Sequence, residues 1–382
     1  MHITTLRLHN FRNHLDSSFD FGSNTNLFLG DNGHGKTNII EAISYLCLAK
    51  SFYAAQDGLC LNFHHDLFEV EGTFVSESGV SHRVRVAYAM PQAEKIVTIN
   101  GHPLEPFSQI VGKFPVVICS PDHAPITSGG PSERRRFVDF VISQSSATYF
   151  QDFIAYRKVL RHRNAVLTDA RALRKDASAM LQPWNEQLVS LGSRLMFKRK
   201  QFVGEFQEFI TSAYHHLTDG REEEPGIEYQ ALAGDFPSTA PEIEEMLRRS
   251  LQERESDERR LGTTLVGPHR DEFVLRINGL ELRKYASQGQ HKTFLIALKL
   301  GEFFYLKDRC AERPLLLLDD VFSELDQHRS ESLLKFVGEL SQTFITSTIP
   351  QFFEEAIPFG NENRKFFIEA GTIVGHNQGV AA

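Results

Sequence analysis

The sequence is poor in the residues that cross-link small domains or bind zinc. It has four cysteines in 382 residues, and none of them forms a CxxC pair or stands at metal-ligand spacing from a histidine. This scatter excludes a disulfide framework and a zinc-finger type of site. The residues Cys47, Cys60, Cys119 and Cys310 are typical of reduced thiols in a cytosol.

Long apolar segments are also missing. Residues 1–7 lack a charged region followed by an apolar stretch of roughly 7 to 15 residues, which argues against a secretory signal. No apolar run approaches the roughly 18 residues needed to cross a bilayer, and the run at 315–318 is only as long as a strand. We therefore expect a cytoplasmic protein without a membrane partner.

The chain has no excess of positive charge. Its 41 Lys and Arg against 49 Asp and Glu give a formal net charge of -8, which argues against a protein that coats nucleic acid nonspecifically. The distribution is uneven, because basic residues outnumber acids from about 132 to 200 and acids dominate from about 205 to 258. A basic region inside an acidic chain permits DNA binding without establishing it.

The first and last thirds of the chain have α/β character. Apolar periodicity predicts a helix over residues 37–48, and the continuous apolar run at 315–318 is typical of a buried parallel strand. Two-residue hairpin signals stand at Asn100-Gly101 and Asn278-Gly279. The other predicted strands are residues 3–8, 26–29, 80–89, 95–100 and 344–346.

The middle third has helical periodicity. Apolar residues spaced by three and four predict amphipathic helices, whose aromatic side chains we expect in a helix–helix core and not in a base-stacking platform. Residues 220–237, rich in acids, Gly and Pro, are predicted to form an exposed loop. The apolar helix positions are Tyr149, Phe153, Tyr156, Leu160, Trp184, Leu188, Leu191, Leu195, Phe202, Phe206 and Phe209.

One motif in the first third predicts a nucleotide site. The pattern G-x-x-x-x-G-K-[ST] follows an apolar strand and precedes a helix, which is the context that a P-loop requires. Its glycines let backbone N–H groups face phosphates, Lys36 suits the β- and γ-phosphates of ATP, and the Thr37 hydroxyl suits Mg²⁺. The predicted nucleotide contacts are Gly30, Asp31, Asn32, Gly33, His34, Gly35, Lys36, Thr37 and Asn38.

Two acidic residues follow the strand at 315–318. A P-loop requires a second carboxylate on the metal side, and Asp319 is the candidate for holding hydrated Mg²⁺. Asp320 is the candidate catalytic group that polarises the attacking water. Two acids after a strand are equally well explained, on their own, as a cap of the next helix. The P-loop elsewhere in the chain favours the catalytic interpretation.

A second phosphate-binding helix start is predicted in the last third. Ser287, Gln288, Gly289 and Gln290 open a helical stretch, whose N-terminus suits a γ-phosphate. The signal is weak alone, because these residue types are common at helix starts. It lies about 30 residues before Asp319, which is the position of the ABC signature motif.

The order of P-loop, signature, Walker B strand and the D-loop at 323–326 resembles the ABC and SMC ATPases. Further blocks resemble the RecF family in particular, over nearly the whole chain. They are the P-loop continued to residue 43, residues 130–136, Arg163-Asn164, and residues 266–271, 285–290 and 316–326. The resemblance implies a slow, DNA-dependent ATPase in which ATP on one chain is completed by Ser287 of a second chain.

The same resemblance implies ligands and partners. RecF proteins bind DNA in an ATP-dependent way and work with RecR and RecO to help load RecA at single-strand gaps, in recombinational repair, replication and the SOS response. We therefore expect ATP and Mg²⁺ as cofactors, an ATP-dependent homodimer, and single-stranded and double-stranded DNA, RecR and RecO as partners.

The chain departs from the usual ABC pattern in several places. Asp320 replaces the common Glu, as in RecF proteins, and its shorter reach predicts slow hydrolysis. No His occupies the switch position near Thr346, no Gln follows residues 116–118, and no Arg follows Ser51-Phe52. The γ-phosphate sensor and the Q-loop equivalent are therefore left without an assigned residue.

We predict an α/β fold of the ABC-type ATPase head. A P-loop lobe with an added antiparallel β-sheet would comprise residues 1–125 and 261–382, and a mainly α-helical lobe, residues 126–260, would be inserted in it. The alternatives are the nucleotide-binding subunit of a transporter and an SMC-like structural ATPase. The latter needs hundreds of residues of heptads, whereas we expect only short helices in the insertion.

Basic residues of the insertion are the predicted DNA contacts. Lys and Arg that touch phosphates release counterions, so binding should weaken with salt. Each of these residues is also explained by a solvated helix face or an ion pair within the helix. The candidates are Arg134, Arg135, Arg136, Arg161, Arg163, Lys198, Arg199 and Lys200.

Overall fold

A computed structural model describes residues 1–173, 178–218, 223–231, 237, 239–338 and 340–377. The strands are β1 His2–Phe11, β2 His14–Asp20, β3 Thr25–Leu29, β4 Leu67–Val75, β5 Ser81–Ala89, β6 Glu94–Ile99, β7 His102–Pro103, β8 Val116–Cys119, β9 Pro225–Gln230, β10 Glu272–Ile277, β11 Leu280–Glu281, β12 Leu315–Asp319, β13 Thr343–Ser347, β14 Arg364–Glu369 and β15 Thr372–Asn377. The helices are α1 Lys36–Leu48, α2 Pro125–Ser128, α3 Pro131–Ser145, α4 Ala147–Leu173, α5 Ser178–Leu217, α6 Ala240–Leu261, α7 Leu282–Tyr285, α8 Gln288–Arg309, α9 Gln327–Val337 and α10 Gln351–Glu354.

The chain divides into two compact units. Unit 1 comprises Met1–Ala124, Ala213–Arg221 and Leu295–Ala382, and unit 2 comprises Pro125–Ser212 and Glu222–Phe294. Unit 1 therefore draws on both ends of the chain. The division differs from the boundary drawn from the sequence at residue 260, because residues 261–294 belong to unit 2. The reason is that β10 pairs along its length with β9.

Unit 1 contains two sheets. One has the order β15-β14-β3-β13-β12-β8, in which β14, β3, β13, β12 and β8 run parallel and β15 is antiparallel. β3, β12 and β13 are buried throughout, as expected of parallel strands that are covered on both faces, and β12 alone is the continuous apolar run that predicted it. The other sheet is antiparallel, with the order β2-β1-β4-β5-β6-β7.

Helix α1 joins the two sheets of unit 1 through one core. It contacts β1, β4 and β5 of the antiparallel sheet and β8, β12 and β13 of the parallel sheet. Ile39, Ile43 and Leu46 are fully buried among side chains from both sheets. Burial of one such side chain contributes roughly 1.5–3 kcal/mol. The core therefore fixes the start of α1 next to the ends of the parallel strands.

Unit 2 is mainly helical, with a small antiparallel sheet of order β11-β10-β9. Its helices are longer than expected, since α4 has 27 residues and α5 has 40. The expectation of short helices was therefore wrong, and Pro183, near the start of α5, does not end that helix. Aromatic residues of both helices form core as predicted: Tyr149, Tyr156, Phe202 and Phe206 are buried.

The hairpin predictions at the two Asn-Gly pairs are confirmed. Asn100 and Gly101 have φ of 53° and 79°, and Asn278 and Gly279 have 51° and 77°, as a tight turn with two positive φ values requires. The predicted loop at 220–237 is wrong for Pro225–Gln230, which form β9, whereas residues 223–224, 231 and 237 have no regular secondary structure. Residues 220–222 and 232–236 of this region lie outside the described residues. Among the described helices, none is long and apolar enough to span a bilayer.

Candidate nucleotide-binding site

The P-loop connects β3 to α1 through glycines with unusual backbone angles. Gly30 and Gly35 have φ of +152° and +102°, which residues with a side chain rarely adopt. A Cβ atom on Gly30 would stand 2.3 Å from the carbonyl oxygen of Ile368, and one on Gly35 would stand 2.5 Å from the Asn13 side chain. Both positions therefore require glycine, as the motif demands.

Lys36 is the first residue of α1, and its side chain turns back into the loop. Its Nζ atom donates hydrogen bonds to the carbonyl oxygens of Gly30 and Asp31 at 2.7 and 2.8 Å. Burial lowers the pKa of the Lys36 ammonium, and the carboxylates of Asp320 and Asp319 oppose that shift. A positive charge is therefore held inside the loop that the motif assigns to phosphates.

Three oxygen-bearing side chains meet at the end of β12. Thr37 Oγ1 donates to Asp319 Oδ1 at 2.9 Å, and Thr346 Oγ1 donates to the same oxygen at 2.8 Å. Thr37 and Asp319 are 282 positions apart in sequence, and parallel pairing of β3, β13 and β12 brings them together. Burial raises the pKa of Asp319, while the two hydroxyl hydrogen bonds act to lower it.

Asp320 stands in a different environment from Asp319. It has a φ of 50°, a left-handed conformation that Asp adopts more readily than most residues. Its backbone N–H donates to Thr346 Oγ1 at 2.9 Å, and its carbonyl oxygen accepts from Ser323 Oγ at 2.8 Å. Asp320 is only half-buried, whereas Asp319 is buried. One acid is thus bound to hydroxyls and the other is accessible to solvent.

Thr346 was not assigned a role from the sequence. The structure places its hydroxyl between the Asp319 carboxylate and the Asp320 backbone, so it links the two acids. The usual switch histidine is missing here, and Thr346, Ser347 and Thr348 stand in its place. Thr346 could have been predicted from its position near the end of β13, which runs parallel to β12 and places Thr346 opposite Asp319.

The turn between β1 and β2 supports the P-loop, which the sequence did not indicate. Asn38 Nδ2 donates to Asn13 Oδ1 at 2.7 Å. The buried His14 ring contacts the Gly35 carbonyl oxygen at 3.1 Å and Ser17 Oγ at 3.0 Å. Burial lowers the pKa of His14. These contacts fasten the loop to the antiparallel sheet.

A buried carboxylate on α1 collects a second set of contacts missed from the sequence. Arg12 donates to both Glu41 oxygens, at 2.8 and 2.7 Å, and Ser51 Oγ also donates to Glu41. Glu41 is buried, and its charge requires such partners. An acid inside an otherwise apolar helix was the available signal. Ser51 therefore anchors the segment after α1.

The segment after β8 occupies the Q-loop position and has no Gln. Ser120 and His123 cap a short turn there, with His123 Nδ1 accepting from the Ser120 backbone N–H at 3.2 Å. The His123 ring stacks on Phe52 with centroids 6.4 Å apart. Burial lowers the pKa of His123 well below its ordinary value. This residue is therefore a neutral packing group in the described conformation.

The predicted signature residues lie at the start of α8, in unit 2. Ser287 Oγ accepts from the Gln290 backbone N–H at 3.2 Å, and Gln290 Oε1 accepts from the Ser287 backbone N–H at 2.9 Å. This reciprocal pair is a capping box. Ser287 and Gln288 are exposed and Gly289 is half-buried, while Gln290 Nε2 donates to Glu223 Oε1 at 2.8 Å. The helix start is thus ordered and accessible at the surface of its unit.

The donor set at β12 fits Mg²⁺. A hydroxyl and a carboxylate are hard oxygen ligands, and Mg²⁺ typically binds through one or two carboxylates together with phosphates. Thr37 and Asp319 already lie within hydrogen-bond distance of each other. The described residues contain no group of three or more His, Cys, Asp or Glu that could hold a metal ion. A nucleotide's phosphates would therefore have to complete the coordination.

Three predicted DNA contacts are buried in ion pairs inside unit 2, so that prediction was wrong for them. Arg163 pairs with Glu258 at 2.5 Å, Arg199 with Asp139 at 2.8 Å, and Arg134 with Glu272 at 3.0 Å. The three arginines are 2 to 6% exposed. Side chains at this depth cannot reach a phosphate backbone, and they hold helices of unit 2 to each other and to β10.

The remaining predicted DNA contacts reach the surface to different degrees. Arg136 is exposed and pairs with Glu133 at 3.1 Å. Arg135 is half-buried and donates to the Asp271 carbonyl oxygen. Arg161 is exposed. The other two lie on α5, where exposed Lys198 donates to Gln201 and half-buried Lys200 donates to the Pro237 carbonyl oxygen.

Known proteins resemble this chain over most of its length. The sequence profile of the RecF/RecN/SMC N-terminal domain matches residues 2–372. The DNA replication and repair protein RecF of Salinibacter ruber is 43% identical over 364 residues, covering 94% of this chain and 87% of the relative. The RecF of Chloroherpeton thalassium is 42% identical and covers 93% of this chain and 97% of the relative.

Solved structures resemble this chain as well. The recombination mediator protein RecF-ATPrS in the RecFOR pathway is 31% identical, with a TM-score of 0.89 and coverage of 97% of both chains. An Smc head bound to the C-terminal winged-helix domain of ScpA shares only 13% identity at a TM-score of 0.54, which shows a common fold and no more. The α/β ATPase head with a helical lobe is thereby confirmed, and the chain belongs to the RecF family.

Proposed function

We propose that this chain is an ATP-dependent DNA-binding ATPase of recombinational repair and replication, whose two copies trap ATP between them. The observation that supports this best is the meeting of Thr37, Asp319 and Thr346 beside the Lys36 ammonium. These groups lie where the P-loop and Walker B motifs predict phosphate and metal contacts. The relatives are named RecF, and two related structures are described as RecF-ATP and RecF-ATPrS.

Each side chain has a distinct role in this proposal. Lys36 binds the β- and γ-phosphates, and Thr37 with Asp319 holds Mg²⁺, which neutralises phosphate charge when bound. Asp320, half-exposed and fixed through Thr346, polarises the attacking water. An aspartate reaches less far than the glutamate of many ABC ATPases, so the proposed turnover is slow.

The dimer is the finer part of the proposal. Ser287 is exposed at an ordered helix start, and helix N-termini favour anions. We infer that it binds the γ-phosphate held by Lys36 of the partner subunit. ATP then stabilises the two-chain state, and hydrolysis removes the phosphate that joins the chains.

DNA and protein partners follow from the family. One relative structure is placed in the RecFOR pathway, so we propose single-stranded and double-stranded DNA, RecR and RecO as partners, with RecA loading at gaps and the SOS response as the outcome. A transporter subunit is disfavoured, because the RecF relatives match along nearly the whole chain.

Sedimentation velocity tests this function. With Mg²⁺ and ATP we expect dimers that bind gapped and intact duplex DNA, and with ADP we expect monomers that bind DNA weakly. The DNA and the nucleotide should be varied independently in the same series. DNA binding of equal strength with ATP, ADP and no nucleotide would overturn the proposal.

Ser287→Arg tests the role of the signature in the dimer. A bulky cation at the exposed helix start should leave ATP binding to the monomer unchanged and abolish the ATP-dependent dimer. Thr239→Arg is the matched control, because Thr239 also forms an exposed capping box, with Glu242 at the start of α6. A normal ATP dimer of the Ser287 variant in sedimentation would refute the trans contact.

A further inference from the structure

Helix α4 carries a cluster of exposed basic side chains in unit 2. Arg157, Lys158 and Arg161 are exposed, and among the described residues none of them forms an ion pair. Arg136 and Arg194, which are also exposed, both pair with carboxylates. We call Arg157, Lys158 and Arg161 the α4 stripe.

The three residues lie on one face of α4. Helical neighbours three and four positions apart point in the same direction, so Arg161 stands one turn beyond Arg157 and Lys158. The exposed Ile154 lies one turn before them. Four residues of helix span about 6 Å. Three positive charges are therefore concentrated within one turn.

Few acids lie near the stripe along α4 itself. Residues 147–168 contain a single acid, Asp152. Both of its oxygens accept hydrogen bonds from Arg194, at 2.8 and 2.9 Å. In a chain of net charge -8, three neighbouring positive charges that form no ion pair within the described part of the chain favour the approach of anions.

The stripe is also partly preorganised. The Arg157 guanidinium lies 5.8 Å from the centre of the Phe153 ring, and Phe153 stacks on the buried Tyr149. Tyr149 donates to the buried Asp139. A cation held over an aromatic ring that is itself fixed loses less side-chain entropy when it binds a ligand.

The aromatic residues near the stripe already have ring partners within unit 2. Phe153 is covered by Arg157, and His162 and Trp184 stack on each other with centroids 5.0 Å apart. The chemistry that remains is charge alone. Duplex DNA presents about one phosphate charge per 3.4 Å along each strand, so a stripe about 6 Å long would face about two phosphates of one strand.

We infer that the α4 stripe binds the phosphate backbone of duplex DNA, without sequence preference. This inference rests on the proposed function, because it assigns a surface to DNA binding of the ATP-bound protein. It replaces the buried Arg134, Arg163 and Arg199 as contacts and adds Arg157 and Lys158 to Arg161.

The test compares two triple variants of the full-length protein. One is Arg157→Ala, Lys158→Ala and Arg161→Ala. The control is Arg249→Ala, Arg254→Ala and Arg260→Ala on α6, which removes the same charge from exposed arginines that all pair with carboxylates. Affinity for duplex DNA is measured with Mg²⁺ and ATP over a series of salt concentrations. ATP-dependent dimerisation and the unfolding midpoint are measured for each.

For the stripe variant we expect affinity to fall at least about tenfold at moderate salt. The slope of log affinity against log salt should shrink by about 2, since each lost phosphate contact removes about 0.9. The control should keep the wild-type slope. A conservative swap, Arg157→Lys with Lys158→Arg and Arg161→Lys, should restore most of the slope.

The possible outcomes distinguish a failure of the α4 stripe as the DNA-binding surface from a failure of the proposed function. If the wild type binds duplex DNA with ATP and the stripe variant keeps its slope, the stripe is overturned and the proposed function stands. If the conservative swap loses as much DNA affinity and salt slope as the alanine variant, the inference that the stripe binds DNA through its charge is overturned. If the wild type does not bind DNA with ATP, the proposed function fails and the stripe fails with it.

Discussion

The P-loop region of unit 1 and the helices of unit 2 use their charges in opposite ways. In unit 1, Lys36, Asp319 and Asp320 converge on one place and interact with hydroxyls and carbonyls. In unit 2, Arg163 and Arg199 are separate, buried, and each is matched by its own carboxylate. Charges that converge without neutralising each other indicate a ligand site, whereas charges matched one to one indicate architecture.

The largest effect expected from this comparison is that of Lys36→Ala. Removal of the ammonium should lower ATP affinity about a thousandfold or more, or about 4 kcal/mol, because the phosphates lose a buried charged partner. Calorimetric titration measures it. Lys113→Ala, an exposed lysine of the same unit, is the control. Unchanged affinity of the Lys36 variant would remove the P-loop assignment.

Arg199→Ala should affect stability instead of ligand affinity. It leaves the buried Asp139 without its charged partner, at a cost of about 3–4 kcal/mol. Urea unfolding followed by circular dichroism measures it. Arg194→Ala, five residues away in α5, breaks an exposed pair with Asp152 and should cost less than about 1 kcal/mol. Equal losses for the two variants would contradict the architectural role of the buried pair.

Asp320→Asn separates the two acids of unit 1. The amide cannot polarise water as the carboxylate does, so turnover should fall about a hundredfold, while ATP still binds and the ATP dimer persists on DNA. Steady-state phosphate release measures the rate. Asp319→Asn should instead lose Mg²⁺-dependent ATP binding. Unaltered turnover of the Asp320 variant would dismiss it as the water-polarising group.

The smallest effect is expected for Thr346→Val. The change keeps the shape of the side chain and removes the hydroxyl between Asp319 and Asp320, so Mg²⁺-ATP affinity should fall about tenfold, or about 1.4 kcal/mol. Thr343→Val on the same strand, whose hydroxyl binds the Ser341 carbonyl oxygen, is the control. Equal effects of both variants would show that Thr346 has no special role.

Local patterns predicted much of unit 1. The helix predicted at 37–48 is Lys36–Leu48, and the strand predicted at 315–318 is Leu315–Asp319. Both depend on apolar periodicity or an apolar run, which are properties of neighbouring residues. β9 was missed because it is stabilised by pairing with β10, whose residues follow much later in the chain. No local pattern contains that pairing.

The site shows the same limit. The motifs predicted Lys36, Thr37 and Asp319 because phosphate and metal chemistry requires those residue types at that spacing. They did not predict Arg12 or Ser51, which interact with Glu41 from elsewhere in the chain. In unit 2, composition led to a wrong prediction of DNA contacts. A count of arginines does not distinguish an arginine in a buried ion pair from one that is exposed to solvent.

The central claim is that two copies of the chain share each ATP. A crystal structure with Mg²⁺ and a slowly hydrolysed ATP analogue tests it most directly. We predict the γ-phosphate within hydrogen-bond distance of Lys36 in one chain and of Ser287 of the partner subunit. A structure in which Ser287 lies far from every phosphate, in all arrangements of the subunits, would contradict the claim.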